Sequence, residues 1–200
     1  MMFPRAIVLA GGASTRFGSD KALANVAGRT LTALCVSRLL EVFKQVFVVA
    51  KQPGQLDVRA GERVRLIHDG FADYASLVGL FEGLRRSDRT LNYVTGCDMP
   101  GVVPELIELQ YRLARGTDCA LRCDQAGRAQ PFGGFYSKKA LPVLERFVRE
   151  KHFKMADVLA ELDVRTIPFD TVASLDPDLR SFWNVNTPAD LDRILTLLDR

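Results

Sequence analysis

The chain has 200 residues, 48% of them apolar, which is enough for one sizeable core and fits a single domain over 1–200. Its formal net charge of +3 is mild and dispersed, with no run of about five or six like charges, so a nucleic-acid or membrane-surface role is not expected. Four cysteines, at 35, 97, 119 and 123, form no C-x-x-C pair and only two histidines are present, which argues against a zinc centre and for reduced thiols in the cytoplasm.

The apolar stretch Ala6-Ile7-Val8-Leu9-Ala10 is too short for an export signal, whose apolar region runs to about seven to fifteen residues. It reads instead as a buried strand ending at Leu9, followed by Ala10, Gly11 and Gly12. Thr30 predicts the N-cap of a helix over 31–43, with Leu31, Leu34, Cys35, Leu39 and Val42 at helical spacing. Within 45–50, the unbroken run Val46-Phe47-Val48-Val49 has the pattern of a parallel strand buried on both faces. Strands over 64–67 and 91–95 flank a helix over about 75–86. A helix over about 104–115 leads to strands over 119–123 and 129–136, which the turn-rich Asp124-Gln125-Ala126-Gly127 joins as a hairpin. Helices over about 138–150 and 155–161, a strand over 164–168, a loop over 169–183 and a helix over about 188–198 complete the chain. Such alternation predicts an α/β, Rossmann-like, mostly parallel sheet with helices on both faces and ligands at the carboxyl ends of its strands.

Chemistry concentrates at those ends. In Leu9-Ala10-Gly11-Gly12-Ala13-Ser14-Thr15-Arg16-Phe17-Gly18-Ser19-Asp20-Lys21, successive backbone N–H groups after the strand can form an anion nest, while Arg16 adds a bidentate fork and Lys21 a point charge. Neither G-x-G-x-x-G nor G-x-x-x-x-G-K-[ST] fits, so this is a phosphate loop of another kind. Asp98, in Gly96-Cys97-Asp98-Met99-Pro100, follows a strand directly and suits a hard cation, because magnesium takes one or two carboxylates together with water and phosphate oxygens. A plain turn aspartate is the alternative. Asp69 lies past the strand over 64–67, where a carboxylate can accept the paired N–H donors of guanine. Near the end, Thr187 can cap a helix with Pro188 at its first position, and Asn184 or Asn186 can reach a metal or its waters.

Residues 9–23, Leu-Ala-Gly-Gly-x-Ser-x-Arg-Phe-Gly-x-Asp-Lys-Ala-Leu, resemble the opening signature of the molybdenum cofactor guanylyltransferases, within the nucleotidyltransferases that make activated sugars and cofactors. Cys97-Asp98-Met99-Pro100 resembles that family's metal motif, and Phe182-Trp183-Asn184-Val185-Asn186-Thr187-Pro188-Ala189-Asp190-Leu191 its closing motif, so the likeness covers nearly the whole chain. It implies a nucleotide-diphospho-sugar transferase type of fold, with a nucleotide half over about 1–100 and an acceptor half over about 101–200. By the same resemblance, the chain transfers GMP from GTP to the terminal phosphate of molybdopterin with Mg2+ or Mn2+. Leu9, Ala10, Gly11, Gly12, Lys21, Asp69 and Asp98 then contact the nucleotide, and Arg16, Lys21 and Asp98 act in catalysis. Asp98, with Asn186, holds the metal. Gln130, Lys151, Lys154 and Asn184 face the acceptor, although the basic run Arg149, Lys151, His152 and Lys154 reads equally as a solvated face. Partners implied are small molecules and, transiently, cofactor-insertion proteins or molybdoenzymes. The chain departs from the pattern at Ala75-Ser76-Leu77, where the family has Gly-Pro-Leu, and lacks an asparagine near Val49. A cytidylyl or sugar-1-phosphate nucleotidyltransferase, or a non-catalytic nucleotide-binding delivery protein, are the rival readings.

Overall fold

The computed structural model describes residues 2–10, 25–26, 29–73, 75–187 and 190. Strand β1, Phe3–Leu9, lies in the middle of a seven-stranded sheet. A two-residue ladder, β2 (Asn25–Val26) with β3 (Arg29–Thr30), stands apart from it and has no counterpart in the sequence reading. Helix α1, Leu31–Leu40, starts at Thr30, whose Oγ1 accepts the Ala33 N–H at 3.1 Å, the cap that the sequence predicts. It ends at Leu40 rather than at residue 43, and β4 begins at once and runs over Phe43–Ala50. The reason is tertiary: Phe43 pairs with Phe3 in the sheet and stacks on Tyr93, ring centroids 5.3 Å apart, so an aromatic that fits the helical spacing is held as strand.

Further along come β5 (Val64–His68), α2 (Ser76–Arg86), β6 (Leu91–Gly96), α3 (Pro104–Leu113), β7 (Cys119–Arg122) and β8 (Gly134–Ser137). After them are α4 (Leu141–Arg149), α5 (Met155–Ala160), β9 (Val164–Ile167) and α6 (Phe169–Leu175). The hairpin over 119–136 exists, with Cys119 opposite Tyr136, but β8 starts only at residue 134. Pro131 cannot donate to a ladder and Gly133 has φ 75°, so the pairing breaks there and resumes nearer the turn as an isolated bridge, Cys123 to Ala129, with the Gln130 N–H on the Arg122 carbonyl and the Asp124 N–H on the Arg128 carbonyl. The segment over 169–183, expected as loop, contains α6. Its Asp170, Thr171 and Ser174 are weak helix formers, and it is fixed by burial of Val172 against Val103, Leu106 and Ile167. The helix expected over 188–198 lies outside the described residues.

Strand order is β5-β4-β1-β6-β8-β7-β9, with β8 antiparallel to both its neighbours and every other pairing parallel. Cys35, Val36 and Leu39 of α1 and Ile107 of α3 share one apolar cluster, while Leu77, Leu80 and Leu84 of α2 and Leu144 and Phe147 of α4 share another. These are the two faces of a doubly wound α/β sheet.

Candidate active site

From β1 the chain crosses to β4 and β5 on one side and then returns to β6 on the other, so the order reverses between β1 and β6. At such a reversal the connections leave in opposite directions and open a crevice at the carboxyl ends. Leu9, paired with both Val49 and Gly96, is the last residue of β1 at that crevice. Its carbonyl accepts the Cys97 N–H at 3.1 Å, and the Ala10 N–H reaches the Val49 carbonyl at 2.8 Å. Beyond this anchor, Gly11, Gly12, Arg16 and Lys21 lie outside the described residues.

Asp98 stands two residues past β6, half-buried, on a turn closed by the Met99 N–H on the Gly96 carbonyl at 3.2 Å. Asp98 Oδ1 lies close over Gly96, so that a Cβ there would push the carboxylate aside. Beneath the turn, the buried Cys35 thiol lies 3.6 Å from the Gly96 carbonyl and 3.8 Å from that of Met99. Burial, then the nearby Cys97 and Asp98, raise the Cys35 pKa well above its ordinary value, so this thiol stays protonated and remains a donor. Sequence reading gave Cys35 only a core role.

The closing segment meets the same turn. The Val185 N–H donates to the Asp98 carbonyl at 2.9 Å, which brings the exposed Asn184 and Asn186 to either side of that contact. Gly101 approaches the Arg180 carbonyl so closely that a Cβ would strike it, a second seam between the two segments. The cap expected at Thr187 is formed: its Oγ1 accepts the Asp190 N–H at 3.2 Å, and the Asp190 carboxylate accepts the N–H groups of Thr187 and Asn186.

The chain has relatives in sequence and in structure. Residues 6–166 match the model of the MobA-like NTP transferase domain. The chain belongs to the MobA-like NTP transferase family. A probable molybdenum cofactor guanylyltransferase of Methanosarcina mazei is 33% identical over 96% of this chain and 90% of its own length. The crystal structure of molybdopterin-guanine dinucleotide biosynthesis protein A from Archaeoglobus fulgidus superposes with a TM-score of 0.79 at 28% identity, covering 98% of each chain. A cytidylyltransferase for 2-C-methyl-D-erythritol 4-phosphate from Thermus thermophilus superposes at 0.68 with 16% identity over the full length of both, which shows a shared fold alone. The fold is therefore of the nucleotide-diphospho-sugar transferase type.

Past the end of β5, Asp69 is held by a cation. Asp69 is 4% exposed, and its Oδ2 meets Lys51 Nζ at 3.1 Å while Oδ1 accepts the Phe71 N–H at 3.1 Å. Lys51 Nζ also reaches the Phe71 carbonyl at 2.5 Å. Sequence reading found Asp69 but not its cation; the signal was a lysine standing directly after the apolar run over 46–50.

The basic run over 149–154 is divided among acids. Arg149 pairs with Glu145, Lys151 with Asp73, and both His152 and Lys154 with Asp157. Lys151 has φ 55° because it ends α4 as a left-handed cap: its N–H returns to the Val148 carbonyl and that of His152 to Phe147. Gln130 is half-buried, with Nε2 on Asp124 at 3.0 Å, so its amide also fastens the hairpin turn. Among the described residues no three His, Cys, Asp or Glu side chains gather as a metal cage, and no helix is long and apolar enough to cross a membrane. One carboxylate with flanking amides does suit a magnesium ion that keeps its waters and phosphate ligands.

Proposed function

We propose that the chain transfers GMP from GTP to the terminal phosphate of molybdopterin, giving molybdopterin guanine dinucleotide and diphosphate. The observation that carries this reading is Asp98, held over Gly96 beside the end of β1 at the sheet's reversal point, in a chain that belongs to the MobA-like family. Residues 1–100 supply the nucleotide half and 101–200 the acceptor half. Backbone N–H groups at Gly11 and Gly12 hold phosphate, and Arg16 and Lys21 add cationic contacts to the same oxygens. Asp98 and Asn186 would hold Mg2+, or Mn2+, which when bound supplies charge neutralisation at the phosphates.

An oxygen of the acceptor's terminal phosphate attacks the α-phosphorus of GTP, a new P–O bond forms, and the bridge to the β-phosphate breaks so that pyrophosphate leaves. No protein nucleophile is needed, because both groups are already reactive and the barrier is chiefly charge repulsion and misorientation. Asp69 carries one bond on each oxygen and retains a second lone pair on each, which supports its acceptance of guanine N1–H and N2–H2. Gln130, Lys151, Lys154 and Asn184 line the acceptor approach. The setting is a cytoplasmic one, with transient contact to cofactor-insertion proteins or molybdoenzymes as product leaves. Purified protein with Mg2+ and molybdopterin should release pyrophosphate from GTP faster than from CTP, ATP or UTP. Release with none of the four leaves a non-catalytic nucleotide-binding protein, and a preference for CTP makes it a cytidylyltransferase.

A further inference from the structure

Arg122, the last residue of β7, is 1% exposed and is one of the largest fully buried side chains. Its Nη1 donates to the carbonyls of Phe132 at 2.8 Å and Gly133 at 2.6 Å, and its Nη2 to the Ser181 carbonyl at 2.5 Å. The guanidinium carbon sits 4.7 Å from the centre of the Phe182 ring. Among the described residues no carboxylate forms a salt bridge with it. A cation buried against backbone carbonyls is an expensive way to fill space, since an apolar side chain of similar volume avoids the desolvation. What arginine adds is a rigid two-armed donor, and here the arms hold segments about fifty residues apart in sequence.

Both segments belong to the site. The first follows directly from Gln130. The second runs on to Val185, whose N–H is on the Asp98 carbonyl, and its start is pinned by Asp176, which accepts the N–H groups of Arg180 and Ser181 at 2.8 Å each. From the sheet, the Arg122 side chain reaches into this segment with a hydrogen bond to the Ser181 carbonyl. We infer that Arg122 is a positioning residue for the transfer: its fork fixes residues 180–186 against residues 130–133 and thereby sets Asn184 and Asn186 relative to Asp98. The inference rests on the reading of Asp98 as the reaction centre. A lysine keeps the charge but, with a single nitrogen, cannot span the carbonyls on both sides.

The test compares Arg122→Lys and Arg122→Met with the parent, measuring GTP affinity without added metal by titration calorimetry, and kcat and KM with Mg2+ and molybdopterin. GTP affinity should stay within about twofold, because the nucleotide half is untouched. For both variants kcat/KM for molybdopterin should fall by at least about tenfold, since small misplacements of reacting groups are costly. Full activity in Arg122→Lys, or loss of GTP binding in step with turnover, overturns the inference. Should neither variant fold, Phe182→Leu removes the ring beneath the guanidinium and should give the same split on a smaller scale; equal losses overturn it there too. Asp98→Asn assayed alongside separates the two levels. If that variant keeps metal-dependent turnover, the placement of the centre fails; if it is inactive while the Arg122 variants behave as the parent, only the role of Arg122 fails.

Discussion

Asp98 and Asp69 are both carboxylates at strand ends, yet their surroundings assign them different work. Asp98 is half-buried on a turn with Oδ1 close over Gly96, and its backbone carbonyl accepts the Val185 N–H of the closing segment. Asp98→Asn should therefore leave that tie intact and let GTP bind measurably, while metal-dependent turnover falls by about 10²–10³. Turnover of the variant at the parent's rate under excess magnesium or manganese would make Asp98 a turn residue only. Asp69 is buried and ion-paired, so removing it has two effects that must be separated. Asp69→Ala removes the carboxylate that pairs with Lys51, 13% exposed, which costs stability; Lys51→Met with Asp69→Ala removes both charges. If the carboxylate reads guanine, both variants should weaken GTP at least about tenfold more than CTP or ATP. Competition binding with four nucleotides decides it, and equal losses would give Asp69 a purely structural role with Lys51.

At the scale of elements, the end of α4 is a case where cap geometry explains what the basic run by itself does not. Lys151 occupies the left-handed position that glycine normally fills, and the His152 and Phe147 rings, 5.3 Å apart, complete the cap. Lys151→Gly should relieve the strain and raise the unfolding free energy by about 1 kcal/mol or less, the left-handed penalty offset in part by glycine's larger backbone entropy. The exposed Lys151–Asp73 pair at 3.7 Å adds little to set against it. Urea unfolding measures the stability and KM for molybdopterin measures the acceptor contact; a gain in stability with KM unchanged makes this lysine a cap alone. Helix α6 shows the opposite failure of local reading. Its weak formers hide it in sequence, and Val172 in a cluster with Ile167 reveals it.

Across the whole molecule, burial leaves several acidic protons held above their usual range. Burial pushes Tyr93 from 10.0 to about 12, and burial followed by Asp118 and Asp163 pushes Cys119 from 9.0 to about 12. Burial also raises Tyr136 and Cys35 well above their ordinary values. These groups stay protonated in the folded protein while the unfolded chain releases their protons at the usual values. Their contribution is thus complete below about pH 9 and is lost as pH rises towards about 12. The urea midpoint should fall steadily over that window, and Cys119→Ala, which removes one such group, should make the fall shallower. A flat profile would mean that these sites open to water without global unfolding.

Periodicity and turn chemistry by themselves determined the alternation of strands and helices, the mostly parallel sheet and the strand ends that carry Leu9, Asp69 and Asp98. Those features follow from neighbours within a few residues along the chain: apolar runs, a Thr30 cap, a glycine before an aspartate. Only the tertiary structure decided that Phe43 is strand, that Asp69 has Lys51 as its cation, that the basic run over 149–154 is divided among acids, and that the buried Cys35 and Arg122 meet backbone carbonyls far away in sequence. Each of these depends on a partner distant in sequence, and a side chain's local pattern cannot name the group that will neutralise or bury it. A charge such as Arg122 inside the run Cys119-Ala120-Leu121-Arg122-Cys123 announces in sequence that it must find partners; only the folded chain shows that these are the carbonyls of Phe132, Gly133 and Ser181, on segments before β8 and after α6, with Nε the one nitrogen of its guanidinium left without a partner among the described residues.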